Sequence, residues 1–176
     1  MKEAKESKVE KKKILDTRGK VFAAVAASVV VFVLIVVLMY METGYGKVII
    51  KNNSDLNLEY AKTSFVYTEG ELAAGLEAKD IKAHKTFSAE LEPIDLLGYN
   101  ANYEIHFKFE NHEEFLVDAG IFNDKFEGNI KVEFKKTSDP NLIKMKVKAS
   151  NGILPSKAIN CNEEYTINLS EGKVLE

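Results

Sequence analysis

A single cysteine, Cys161, stands among 176 residues, so no disulfide can form within the chain and any folded domain is held by packing alone. Metal-ligand spacing is missing as well. The three histidines, His84, His106 and His112, show no close, repeated spacing with one another or with Cys161 of the kind a structural zinc site needs. No Gly-rich loop cradles phosphate, because Gly70 and Gly75 flank Glu71-Leu72-Ala73-Ala74 without the Lys and Ser or Thr required. Nothing beside Cys161 resembles an activated thiol. These gaps leave no cofactor and no metal to expect, and they argue against an enzyme. A metal-dependent hydrolase is the remote alternative, and it would have to gather its ligands from separate strands.

What the chain has in excess is one apolar run. Residues 21–41 carry no charge. At about 1.5 Å per residue they form a helix of about 31 Å, matching a bilayer hydrocarbon core of about 30 Å. The expectation is a transmembrane helix over 21–41, with Phe22, Tyr40 and Tyr45 near the headgroups. A cleaved signal peptide also has a basic start and an apolar middle, but that middle usually runs about 7 to 15 residues. The length favours an uncleaved signal anchor.

The flanks orient it. Residues 1–20 hold eight Lys or Arg and four acids, a net of +4, which leaves −7 for residues 21–176 in a chain of net −3. Positive flanks stay in the cytoplasm. Residues 1–20 therefore read as a basic cytoplasmic tail too charged to fold alone, and the rest as extracytoplasmic, on the cell membrane. Lys11, Lys12, Lys13, Arg18 and Lys20 lie where each basic residue gains about 1 kcal/mol from anionic headgroups. Gly19, Ala23 and Ala27 recur every four residues, as do Ala24 and Ser28, offering a face for helix pairing that is equally a face for lipid.

Residues 42–46 form a stem whose Gly44 and Gly46 break the helix and allow a swivel. Beyond it the period becomes two. Tyr103, Ile105, Phe107 and Phe109 alternate with polar residues, as do Ile130, Val132 and Phe134, and Ile143, Met145, Val147 and Ala149. Weaker runs cover 47–51, 56–67, 81–91, 115–122 and 165–169. About eight half-buried strands without a convincing helix between them predict an all-β fold. The expected architecture is an antiparallel β-sandwich, immunoglobulin-like or similar, over residues 47–176.

Two hairpins suggest registers. Around Thr137-Ser138-Asp139-Pro140, Phe134 would face Ile143, Val132 would face Met145, and the outer face would pair Glu133 with Lys144 and Lys131 with Lys146. Around residues 110–114, Phe109 would face Phe115 and His106 would face Asp118. Leu116 would then break a polar face, so either that register slips or something covers Leu116.

Lys131, Lys135, Lys144, Lys146 and Lys148 make a stripe able to meet anionic headgroups, wall polymers or an acidic partner. The same lysines would also serve as a solvated strand face that discourages edge pairing. Nucleic acid is disfavoured by the net negative charge and the compartment. The acid-rich segment 69–80 and the segment 90–99 read as contact loops. Leu96, Leu97 and Tyr99 in the second would be costly to expose, so packing across an open end of the sandwich is expected for them.

Residues 48–97 resemble the late-embryogenesis-abundant group 2 domain, also called the water-stress and hypersensitive-response domain. The resemblance rests on Val48-Ile49-Ile50-Lys51-Asn52-Asn53-Ser54, Phe65-Val66-Tyr67, the Gly-rich turn Gly70-Glu71-Leu72-Ala73-Ala74-Gly75, and Ile81-Lys82-Ala83. Asn53 stands where that family has proline. The resemblance implies a sandwich behind one N-terminal span, with roles in stress protection or membrane-associated contact, and it brings no catalytic residue. Together these readings describe a single-pass, non-enzymatic binding or assembly module, such as an accessory subunit of an envelope complex, with a protein partner and an oligomeric state the sequence does not specify. A sandwich holding a lipid or small ligand is the alternative.

Overall fold

Alternation of apolar and polar side chains dominates the chain after Gly46, and strands form wherever it does. The computed structural model describes residues 2–42, 46–68, 70–151 and 157–175, with α1 side chains described from Arg18 to Leu38. In chain order the elements are α1 (Lys2–Glu42), β1 (Gly46–Asn53), β2 (Leu58–Tyr67), β3 (Gly70–Ile81), β4 (Lys85–Leu91) and β5 (Ile94–Asp95). They continue with β6 (Ala101–Phe109), β7 (Glu114–Phe122), β8 (Lys125–Phe126), β9 (Asn129–Lys136), β10 (Leu142–Ser150), β11 (Ile159–Asn160), β12 (Asn162–Asn168) and β13 (Lys173–Leu175).

The chain divides into two compact units at Met41/Glu42. In the first, residues Arg18–Leu38 of α1 are long and apolar enough to cross a membrane. Residues 2–20, expected to lack structure of their own, continue the same helix. Their Lys, Glu and Ala are good helix formers, and the apolar run supplies the nucleus that an isolated charged segment lacks. Of the expected stem and anchors, Thr43, Gly44 and Tyr45, together with the side chain of Tyr40, lie outside the described residues.

The second unit is an all-β, sandwich-like domain. One sheet has the order β13-β12-β10-β9-β1-β4, the other β11-β7-β6-β2-β3, and β5 pairs with β8. Inward side chains of both sheets fill one core. Phe107 and Phe109 of β6 meet Phe134 of β9 across it, with ring centroids 4.9 and 5.4 Å apart. Each such ring, fully buried, contributes about 1.5–3 kcal/mol. Phe65, Phe122 and Phe126 make a second aromatic group. Phe65 lies near the end of β2 and Phe126 just before β9, so the Gly46 end of the first sheet and the Tyr67 end of the second coincide.

Several expectations need correction. β1 runs parallel to β9, although every other pairing among the described residues is antiparallel. The β9–β10 hairpin pairs Phe134 with Met145 and Val132 with Val147, and β6–β7 pairs Phe107 with Phe115 and Ile105 with Val117. Both registers differ by two residues from the expected ones. A shift of two leaves every side chain on its expected face, so the hydrophobic pattern alone does not decide between them. Leu116, now opposite His106, is half exposed.

Of the acid-rich segment 69–80, residues 70–80 are not a loop, and Gly70–Gly75 is not a turn: both belong to β3, while Glu69 lies outside the described residues. Two register shifts against β2 break its alternation. The expected strand 81–91 is split, because Asp80 and His84 adopt left-handed φ of 53° and 59°, and the amide of Lys85 bonds the Lys82 carbonyl at 3.1 Å. In the segment 90–99, Leu96 is buried, but Leu97 and Tyr99 are 68 % and 42 % exposed.

Candidate functional site: a lysine face on the larger sheet

Strand alternation puts Val48, Ile50, Ile130, Val132, Phe134, Ile143, Met145 and Val147 in the core. The residues between them point outward. On β1 these include Lys47 and Lys51, on β9 Lys131 and Lys135, and on β10 Lys144, Lys146 and Lys148. The stripe expected from sequence is therefore one continuous face, and the parallel neighbour β1 adds two lysines to it. Positions two apart along a strand lie about 6.8 Å from each other and adjacent strands about 4.8 Å, so the ammonium groups form a grid.

Register decides how this grid is compensated. Lys146 and Lys51 flank Glu133 from either side, whereas Lys148 faces Lys131 and Lys144 faces Lys135. The expected pairs Glu133–Lys144 and Lys131–Lys146 do not form as cross-strand neighbours, since the two-residue shift replaces them. Like charges directly opposite destabilise a ladder. Glu133 partly offsets this from the middle: its Oε2 lies 3.8 Å from the Lys131 Nζ and 3.5 Å from that of Lys135. The Asn53 amide donates to its Oε1 at 2.8 Å. Burial pushes the Glu133 carboxyl up, but the two ammonium groups and the Asn53 amide outweigh it and hold the group below the usual carboxylate range.

Lys146 pairs with Glu164 of β12, whose carboxyl that hydrogen bond and charge also lower. Glu90 of β4 faces Lys47. Three carboxylates thus answer seven lysines on this face, in a domain that is acidic overall. An excess of ammonium groups of this kind attracts anions.

The remaining candidates are committed elsewhere. On the outer face of the smaller sheet, His106 Nδ1 lies 2.8 Å from Glu114 Oε1, and its Nε2 lies 3.6 Å from Glu104 Oε2. Asp118, the expected partner of His106, instead accepts from the Asn102 amide. The Tyr60 hydroxyl donates to Glu114 Oε2 at 2.6 Å, and this bond, with burial, pushes the phenol up to about 12. His84 Nε2 sits 3.0 Å from Asp55 Oδ1 at the surface, and His112 lies in the β6–β7 turn. Cys161 is buried; burial, with the Glu163 carboxylate, pushes its thiol up to about 12. Among the described residues no three His, Cys, Asp or Glu side chains converge to hold a metal.

Inside the core, the Tyr103 hydroxyl has no hydrogen bond among the described residues, and burial raises its phenol. Surface clefts of about 370 and 470 Å³ are lined by Asp55, Lys136 and Pro140, and by Asp118, Glu163 and Tyr165. Neither contains a convergent catalytic set.

On α1, Arg18 and Lys20 are exposed at the start of the apolar run, while the Lys11, Lys12 and Lys13 side chains lie outside the described residues. Gly19, Ala23 and Ala27 are exposed, and nothing comes within 4 Å of a Cβ placed on Gly19. The Ser28 hydroxyl is satisfied within the helix by the Ala24 carbonyl at 2.9 Å. No protein-family model matches the chain, and neither does any curated protein or solved structure.

Proposed function

We propose that this chain is a membrane-anchored binding module without enzymatic activity. In this reading α1 crosses the membrane, residues 1–20 stay in the cytoplasm, and the sandwich stands outside, where its lysine face engages an acidic partner in the cell envelope. The observation that carries the reading is the pair of like-charge contacts, Lys148 against Lys131 and Lys144 against Lys135, which Glu133 offsets only in part. A surface serving only solubility gains nothing from setting lysine against lysine on adjacent strands. An anionic partner turns that repulsion into binding energy and fast, salt-sensitive association.

The experiment is cross-linking in native membranes with the full chain, followed by quantification of what co-purifies at near-equal amounts. A partner recovered with the wild type and lost with Lys144→Glu/Lys148→Glu supports the reading. Recovery of the protein alone, or of the same partner with both forms, overturns it.

A further inference from the structure

Seven large apolar side chains are exposed on the described part of the sandwich: Tyr67, Leu72, Leu97, Tyr99, Leu116, Ile121 and Leu175. They are not scattered. Tyr67 and Leu72 lie at the β2–β3 hairpin, Ile121 is the last residue but one of β7, and Leu97 and Tyr99 sit in the connection after β5. Five of the seven therefore gather at the end of the sandwich where β1 begins.

The connection is built to hold them out. The Leu97 amide bonds Asp95 Oδ1 at 3.1 Å, the Gly98 amide bonds Asn123 Oδ1 at 3.0 Å, and Gly98 takes φ +86°. Tyr99 packs edge-on against Tyr67, with ring centroids 5.7 Å apart. Among the described residues of the domain Leu97 is the most exposed large apolar side chain, at 68 %. Three residues, Thr43–Tyr45, separate the last residue of α1 from the first of β1, a tether of at most about 14 Å of extended chain.

We propose that this end of the sandwich rests on the bilayer, with Leu97 inserted at the headgroup level and the Tyr67–Tyr99 pair beside it. The inference rests on the reading of α1 as an uncleaved span, and it assigns the occupant of the apolar end: lipid, not protein. Tyrosine favours the membrane interface because its ring is apolar and its hydroxyl wet. The contact is apolar in character, since Asp95 and Asp124 flank the connection and Glu92 precedes it. Anionic headgroups would weaken it, whereas the lysine face remains free for its own partner.

The chain has no tryptophan, so one introduced residue reports without background. Full-length Leu97→Trp and, as the control toward the other end of β7, Leu116→Trp are reconstituted into phosphatidylcholine vesicles containing acyl-brominated lipid. Bilayer contact predicts quenching of Leu97→Trp about threefold stronger than of Leu116→Trp, since the two sites are separated by more than the depth of an interface. The difference should persist in high salt and shrink when anionic phosphatidylglycerol is added. Equal quenching of the two variants overturns the inference. Extraction at alkaline pH scores the tether separately: a chain released into the supernatant defeats both readings, and an embedded chain with equal quenching defeats only this one.

Discussion

Lys148 stands directly across the strand boundary from Lys131, on a face where the next carboxylate along β9, Glu133, is already shared by Lys131, Lys135 and the Asn53 amide. Replacing one of the two facing lysines by an acid creates a cross-strand ion pair in place of a repulsion. Lys148→Glu should raise stability by about 0.5 kcal/mol and lower binding to the proposed acidic partner. Urea unfolding reads the first effect and salt-dependent binding the second. A variant that is both less stable and equally good at binding would remove the argument for this face.

Glu133 is the counterpart. Its carboxyl lies below its unfolded value, so its contribution is present above the unfolded carboxylate range and is lost as pH falls through the depressed folded value. Glu133→Gln should cost about 1 kcal/mol at neutral pH and flatten the acid limb of the stability curve. Unfolding midpoints measured from neutral to strongly acidic pH check both effects. An unchanged acid limb would show that the ammonium groups are too well solvated for the coupling to count.

Cys161 should be inert to thiol reagents in the folded protein at pH 7 to 8, since burial pushes its thiol up to about 12 and so keeps the thiolate scarce. Modification should appear only in denaturant. Timed labelling followed by mass measurement is sufficient, and rapid labelling of the native protein would contradict the packing between β11 and β12.

Asn52 ties the far end of the sandwich together. Its amide donates to the carbonyls of Leu56 at 2.8 Å and Ile81 at 3.1 Å, while its Oδ1 accepts from the Ser54 hydroxyl at 2.6 Å. Asn52→Ala removes these bonds from the interior, leaving the Leu56 carbonyl only the Ser54 hydroxyl at 3.2 Å, and should cost about 2 kcal/mol in thermal or urea unfolding. The side chain is fully buried, so the Asn52-Asn53-Ser54 sequon is closed to glycosylation in the folded domain.

The strands that alternate cleanly, β6, β9 and β10, were legible because one face meets the core and the other water. Their registers were not, since hydrophobic faces recur every two residues and a slip of two costs nothing in that pattern. β3 escaped notice for a different reason. At Gly75 a Cβ would fall 2.3 Å from the Thr63 hydroxyl oxygen, and that hydroxyl accepts the Leu76 amide at 2.8 Å where the ladder shifts. A strand that replaces a ladder bond with a side chain loses its period, and its glycines then look like a turn. The lysine stripe was readable on β9 and β10, but Lys47 and Lys51 join it only through the parallel pairing of β1 with β9, a long-range contact with no local signature.

That pairing also sets how the domain answers a pull. β1 is the first strand after the tether, and it is clamped on both sides, antiparallel to β4 and parallel to β9. A force applied at Gly46 along the length of β1 loads both ladders together in shear, so their hydrogen bonds cannot open one at a time as in a peeled hairpin. Forced unfolding is governed by the barrier to that rupture and not by equilibrium stability. Under the proposed anchoring, such a clamp would make β1 resist being drawn out of the domain from its N-terminal end.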